Sequence, residues 1–231
     1  MNRRGVLLRV AAGLLLLWLG GTAAPALGQI VRPPELNMQL HRAETAWRSG
    51  TSLLEAKARV DRVLTALPDD VEARKLRAEV LLAMNRPADA VRDAQRAVEL
   101  DSSDGEARII LSEAARLSGN RELALKALDA AAERIVDDGP LHLRLSWNAM
   151  ELGELGKAEA FARIALALQP DAPAAYQQLA RVFLLENKDT DAAEILARGL
   201  RMAVVPFDVI RNDTLLSRVL SNPLLSPYAR K

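Results

Sequence analysis

Apolar positions between residues 37 and 206 recur on two scales. Over short stretches they follow the three-and-four spacing of a helix. Tyr176, Leu179, Ala180 and Phe183 form one stripe, and Ala192, Ile195, Leu196 and Leu200 form a second. Polar, turn-forming phrases separate the stripes, so the pattern predicts pairs of amphipathic helices joined by short turns. On the longer scale the pattern returns every 34 residues: repeats begin at Val71, Gly105, Gly139 and Pro173 without insertion or deletion, with a weaker copy from Asn37. Alternating β-branched stretches of the kind that form strands are nearly absent, which makes the predicted class all-α.

Small residues hold the register. Position 20 of the repeat reads Ala56, Ala90, Ala124, Ala158 and Ala192. Position 27 reads Val63, Ala97, Ala131, Ala165 and Gly199, and position 8 reads Glu44, Ala78, Ser112, Ser146 and Ala180. Two antiparallel helices approach closely only where side chains are small, so position 8 of the first helix is expected to nest against positions 20 and 27 of the second. The phrases "PDDVEA" from Pro68, "SSDGEA" from Ser102 and "PDAPAA" from Pro170 then fall between repeats. Pro68 and Pro170 stop the preceding helix, and Asp70 and Asp104 are placed to cap the next, with "Asp138-Gly139-Pro140" serving the same turn.

This arrangement resembles the tetratricopeptide repeat (TPR) family, whose 34-residue unit carries the pattern W-x2-L-G-x2-Y…A-x3-F…P. The resemblance covers residues 37–206 and is best in the fifth copy, through Tyr176, Leu179, Ala180, Phe183, Ala192 and Leu196. The departures are Ala or Ser at position 8 in place of glycine, Glu44 at that position in the first copy, and Arg74 and Arg108 where an aromatic is usual. The resemblance implies an α-solenoid whose first helices line a concave face through positions 2, 5, 6, 9, 12 and 13, where a protein or peptide partner sits. One version of the family clamps a peptide's terminal carboxylate with Lys, Asn, Asn, Lys and Arg. The corresponding residues here are Lys75, Glu79, Ile110, Pro140 and Arg144, which rules that clamp out.

The same register gives the candidate partner-binding residues. Ile109, Ile110, Leu143, Trp147 and Met150 are expected to form an apolar patch on the third and fourth repeats, edged by Arg144 and Arg181. Glu72, Glu79, Glu106 and Glu113 are expected to form a solvated acidic strip beside it. Trp147 is the expected anchor; the alternative is that it leans on the neighbouring repeat and only stabilises the stack.

The two ends lie outside the repeat. Residues 1–28 run from arginines (Arg3, Arg4, Arg9) through the apolar stretch Val10–Leu19 to small residues at Ala26 and Gly28, the order of a cleaved secretory signal. Export to the periplasm or beyond is therefore expected, by the general route rather than the twin-arginine one. The alternative is an inner-membrane anchor formed by residues 10–28. Residues 29–36 read as an extended linker. Residues 207–231 read as a capping segment with a helix over Leu215–Leu220, capped by Asn212-Asp213-Thr214 and ended by Pro223.

Composition narrows the function. The full chain of 231 residues carries a formal charge of +1, but the leader holds three basic and no acidic residues, leaving 28 basic against 30 acidic. Nothing marks a nucleic-acid surface. There is no cysteine, hence no disulfide and no thiolate metal site. The two histidines, His41 and His142, lie about 100 residues apart, and His142 at position 4 is read as structural. No phosphate loop, nucleophile elbow or metal-binding histidine pair is present, and "Asp101-Ser-Ser-Asp104" reads as a turn rather than a calcium loop. The chain is expected to be a non-enzymatic protein-binding scaffold in envelope assembly or secretion; the alternative is a membrane-anchored or self-associating assembly factor that retains its N-terminal helix. It is expected to need no cofactor, metal or small-molecule substrate, and to touch a membrane only through an uncleaved leader.

Overall fold

The structure is a computed structural model that describes residues 31–228, so the expected leader lies outside the described residues. Ten helices pair along the chain: α1 (Pro34–Arg48) with α2 (Leu53–Ala66), α3 (Val71–Ala83) with α4 (Pro87–Leu100), α5 (Gly105–Leu117) with α6 (Arg121–Ala132), α7 (Gly139–Glu151) with α8 (Leu155–Leu168), and α9 (Pro173–Leu185) with α10 (Asp189–Arg201). A short helix α11 (Phe207–Asn212) and a 3-10 turn (Leu216–Val219) follow. No strand occurs among the described residues. Helix α1 begins at Pro34, inside the stretch expected to be linker, because a proline at a helix start loses no hydrogen bond.

The turns explain why the clock runs at a fixed length. Asp70, Asp104 and Asp138 each accept a hydrogen bond from the backbone N–H three residues on, at 3.0, 2.9 and 2.8 Å, and so start α3, α5 and α7. In the second to fifth hairpins position 15 takes a left-handed backbone, at Asn85 (φ 57°), Gly119 (84°), Gly153 (76°) and Asn187 (59°), and in the first hairpin Gly50 at position 14 does so (65°). These are the residue types that adopt this conformation most readily. The following N–H then reaches back to the carbonyl five residues earlier, as in Glu154 N to Ala149 O at 2.9 Å, which closes the first helix and releases the second.

The alanines at position 20 have no exposed surface in any of the five repeats. In two repeats position 8 adds a bond to the close approach. The Ser112 hydroxyl donates to the Ala124 carbonyl at 2.7 Å, and the Ser146 hydroxyl to the Ala158 carbonyl at 2.8 Å. Serine therefore replaces the family glycine without a buried unsatisfied hydroxyl. Gly199 at position 27 is required by what lies over it. A Cβ there would stand 2.7 Å from the Val205 side chain and 3.2 Å from the Tyr176 ring.

Each second helix packs on the first helix of the next repeat, as α4 does on α5 and α8 on α9. First helices also pack on one another: α3 on α5, α5 on α7 and α7 on α9, while the second helices of successive repeats make no comparable contact. The first helices therefore form one continuous face of the stack. At the C-terminal end, Ile210, Leu216, Val219 and Leu225 are buried in one cluster with Tyr176, Leu196 and Leu200. The expected helix over Leu215–Leu220 is thus a single 3-10 turn, preceded by an α11 that its Phe-Asp-Val-Ile-Arg-Asn sequence is too short to announce. Asp213 caps the turn as expected, accepting from the N–H groups of Leu215 and Leu216 at 2.9 Å each.

Candidate functional site

Helices α5, α7 and α9 bring together a cavity of about 430 Å³ on the face formed by the first helices, lined by Glu113, Leu143, Arg144, Trp147, Ala174, Gln177, Gln178 and Arg181. These residues occupy positions 2, 5, 6 and 9 of their repeats. Five of the seven candidates read from the sequence meet here: Glu113, Leu143, Arg144, Trp147 and Arg181. Two do not. Ile109 has no exposed surface, and Ile110, expected beside it, is 1% exposed. Both are core: Ile109 is buried with Leu145 and Ala149 of α7, and Ile110 on the other side with Ala78 and Leu81 of α3 and Ala90 and Ala94 of α4. Met150 is half-buried beside the cavity, with its sulfur 3.8 Å from the Gln178 amide nitrogen.

Trp147 is 43% exposed at the centre of the wall, so it is not consumed by packing between repeats. The Arg181 guanidinium lies 5.8 Å from the centre of its ring, within reach of a cation–π contact. Arg181 is also paired with Asp213 of the C-terminal segment. The cap therefore holds one edge of the cavity. The Gln178 amide donates to the buried Ser146 hydroxyl at 3.2 Å, fixing that part of the floor. Ala174, Gln177 and Gln178 were absent from the sequence reading. Their positions 2, 5 and 6 would have indicated them once the register was set.

The glutamates are not a free acidic strip. Arg144 lies 2.9 Å from Glu113, 3.2 Å from Glu79 and 3.4 Å from Glu106, so one guanidinium serves three carboxylates. Lys75 is similarly shared by Glu72, Asp104 and Glu106 at 3.0, 2.9 and 2.9 Å. The network spans the second, third and fourth repeats. Burial works to lower the Lys75 ammonium pKa, but its bonds to Glu106, Asp104 and Glu72 outweigh burial and hold it above the ordinary lysine value. Burial likewise disfavours the Arg144 charge, and Glu113, Glu79 and Glu106 restore it. Glu79 goes the other way. Burial, reinforced by the neighbouring Glu106 and Glu113 charges, raises its carboxyl to about 7 against the pull of Arg144.

The remaining chemistry is structural. His142 is 4% exposed, its Nδ1 lies 2.8 Å from the Asp138 carbonyl, and its ring tilts against Phe161. Asp101 accepts from the Ser103 N–H and hydroxyl at 2.9 and 2.6 Å, which makes its phrase a turn. Among the described residues no group of three His, Cys, Asp or Glu side chains is arranged to hold a metal ion.

Solved structures share this architecture. PilW, described as a widely conserved type IV pilus biogenesis factor, matches with a TM-score of 0.67 at 20% identity, over 86% of this chain and 92% of that one. TTC0263, a thermophilic TPR protein of Thermus thermophilus, matches with a TM-score of 0.62 at 26% identity, over 80% and 97%. MamA from Desulfovibrio magneticus RS-1 matches with a TM-score of 0.58 at 17% identity, over 74% and 96%. No protein-family profile and no curated protein matches the chain. The helix pairs, their register and these likenesses define the fold as a TPR solenoid: five helical hairpins and a C-terminal cap.

Proposed function

We propose that the protein is a non-enzymatic scaffold of the cell envelope that holds a segment of a partner protein in the concave groove centred on Trp147. The observation that carries this reading is the cavity itself. A half-exposed tryptophan and Leu143 form an apolar centre, and glutamines and ion pairs surround it. That is the composition of an interaction hot spot with a polar rim. The likeness to a pilus biogenesis factor favours a role in assembling or secreting envelope components, and the leader's composition favours export. Among the described residues no helix is long and apolar enough to cross a membrane. A membrane anchor formed by retained residues 10–28 is the second reading, which their freedom from charge supports.

Site-specific photocrosslinking tests the groove. A photoreactive residue at Gln177 should give a discrete adduct with an envelope protein, and one at Ile164 on α8 should not. Equal adducts from both positions would contradict the assignment. N-terminal sequencing of the exported material separates the two leaders. A start at Gln29 supports cleavage, whereas an intact Met1 found only in membranes supports the anchor.

A further inference from the structure

We infer that the segment held in the groove is cationic and amphipathic: a large apolar side chain seated on Trp147, with a lysine or arginine about one helical turn away facing α3 and α5. This inference rests on the groove assignment above and specifies its ligand. Its basis is the balance of charge at the α5 side of the cavity. Glu113 and Arg144 line the cavity and belong to the network that runs on through Glu79, Glu106, Asp104 and Glu72.

Five carboxylates of this network face two cations, Lys75 and Arg144. The Lys75 ammonium is sunken: its side chain is 10% exposed, while those of Glu72 and Glu106 are 58% and 39% exposed. An approaching segment therefore meets carboxylate oxygens. On the far side of the cavity Arg181 is already paired with Asp213, so that edge supplies no free positive charge to attract an acidic ligand. An acidic or carboxylate-terminated segment would be repelled by the first edge and ignored by the second.

Glu79 reports the same shortage. Its carboxyl is held up to about 7 by burial and by Glu106 and Glu113 even though Arg144 touches it. The groups facing Glu79 are Arg144 from α7, and Glu106 and Glu113 from α5. A cation brought to Glu106 and Glu113 would offset the repulsion that keeps Glu79 protonated. Binding should therefore release a proton near neutral pH and should weaken as salt is raised.

Panning a displayed library of random dodecapeptides on the chain from Gln29 to Lys231 tests this, with synthetic amidated versions of the enriched peptides. The expected peptides pair a large apolar residue with Lys or Arg three or four positions away. They should lose roughly tenfold or more in affinity when that basic residue is made Gln, or when the protein carries Glu106→Gln. They should also fail to bind Trp147→Ala. Peptides that need Trp147 but are neutral or acidic, and indifferent to Glu106→Gln, would overturn the charge inference and leave the groove standing. Absence of enrichment, or peptides that bind Trp147→Ala as well as the parent, would overturn the groove assignment and this inference with it.

Discussion

At position 4 of the second, third and fifth repeats unlike side chains make one contact. Arg74 donates to the Pro68 carbonyl at 2.7 and 2.9 Å, Arg108 to the Ser102 carbonyl at 2.7 Å, and the Tyr176 hydroxyl to the Pro170 carbonyl at 2.9 Å. Each reaches six residues back and ties the first helix to the turn that precedes it. The arginines that depart from the family aromatic therefore keep its polar function, and Tyr176→Phe should lower stability by about 1 kcal/mol, read as a drop in melting temperature. Glu79 makes the clearest prediction at this scale. Its folded carboxyl titrates near 7, above the ordinary value of 4.5, so the folded protein binds more protons than the unfolded chain between those limits. Stability from this group is present below pH 4.5 and is lost as pH rises through 7. Glu79→Gln should stabilise the protein relative to the parent at pH 8 by up to about 2–3 kcal/mol, read as a higher melting temperature, with the gain shrinking towards pH 5. A constant difference across that range would show that Glu79 is already ionised in the fold. The network around it has a readable signature, since Glu106 follows Lys75, and Arg144 follows Glu113, by the same 31 residues. What the residue pattern withholds is which side chain sinks. Glu79 and Lys75 look solvated until the neighbouring repeats close over them.

Hairpin closure dominates at the scale of the element. Position 20 was legible because five alanines stand in register, and all are sealed in the structure. Ala124→Leu or Ala158→Leu should overpack the crossing and cost about 1–3 kcal/mol, while Ala→Leu at the exposed Ala88 should be nearly neutral. Equal melting temperatures for the two kinds of variant would contradict the register. The exit of α10 carries a different signal. Ala203 takes the left-handed conformation with φ 55°, where the hairpin turns use Asn or Gly, so Ala203→Gly should stabilise the protein by about 0.5–1 kcal/mol in thermal melting. The burial of Ile109 and Ile110 was not legible from their own helix. Positions 5 and 6 are open in α7 and closed in α5, and the difference is made by the neighbouring repeats rather than by the residues that occupy them.

The whole molecule is a row of small cores rather than one. Four clusters run from α1 to the C-terminal segment, each built mainly from adjacent repeats, as expected of a solenoid. The last cluster depends on the cap. Ending the chain after Pro206 removes Ile210, Leu216, Val219 and Leu225 from it, at about 1.5 kcal/mol or more for each buried side chain. Hydrogen exchange in such a truncation should quicken first in α9 and α10 and leave α3 and α4 protected; uniform loss would mean the stack is one cooperative unit. The truncation also frees Arg181 from Asp213, linking the cap to the groove. The central claim, that Trp147 anchors a partner rather than the stack, is tested most directly by Trp147→Ala, followed in parallel by thermal melting and by crosslinking from Gln177. An unchanged melting temperature with the adduct lost is the predicted result, since a hot-spot truncation typically removes about 2 kcal/mol or more of binding free energy. A lowered melting temperature with the adduct intact would contradict it and make Trp147 a structural residue.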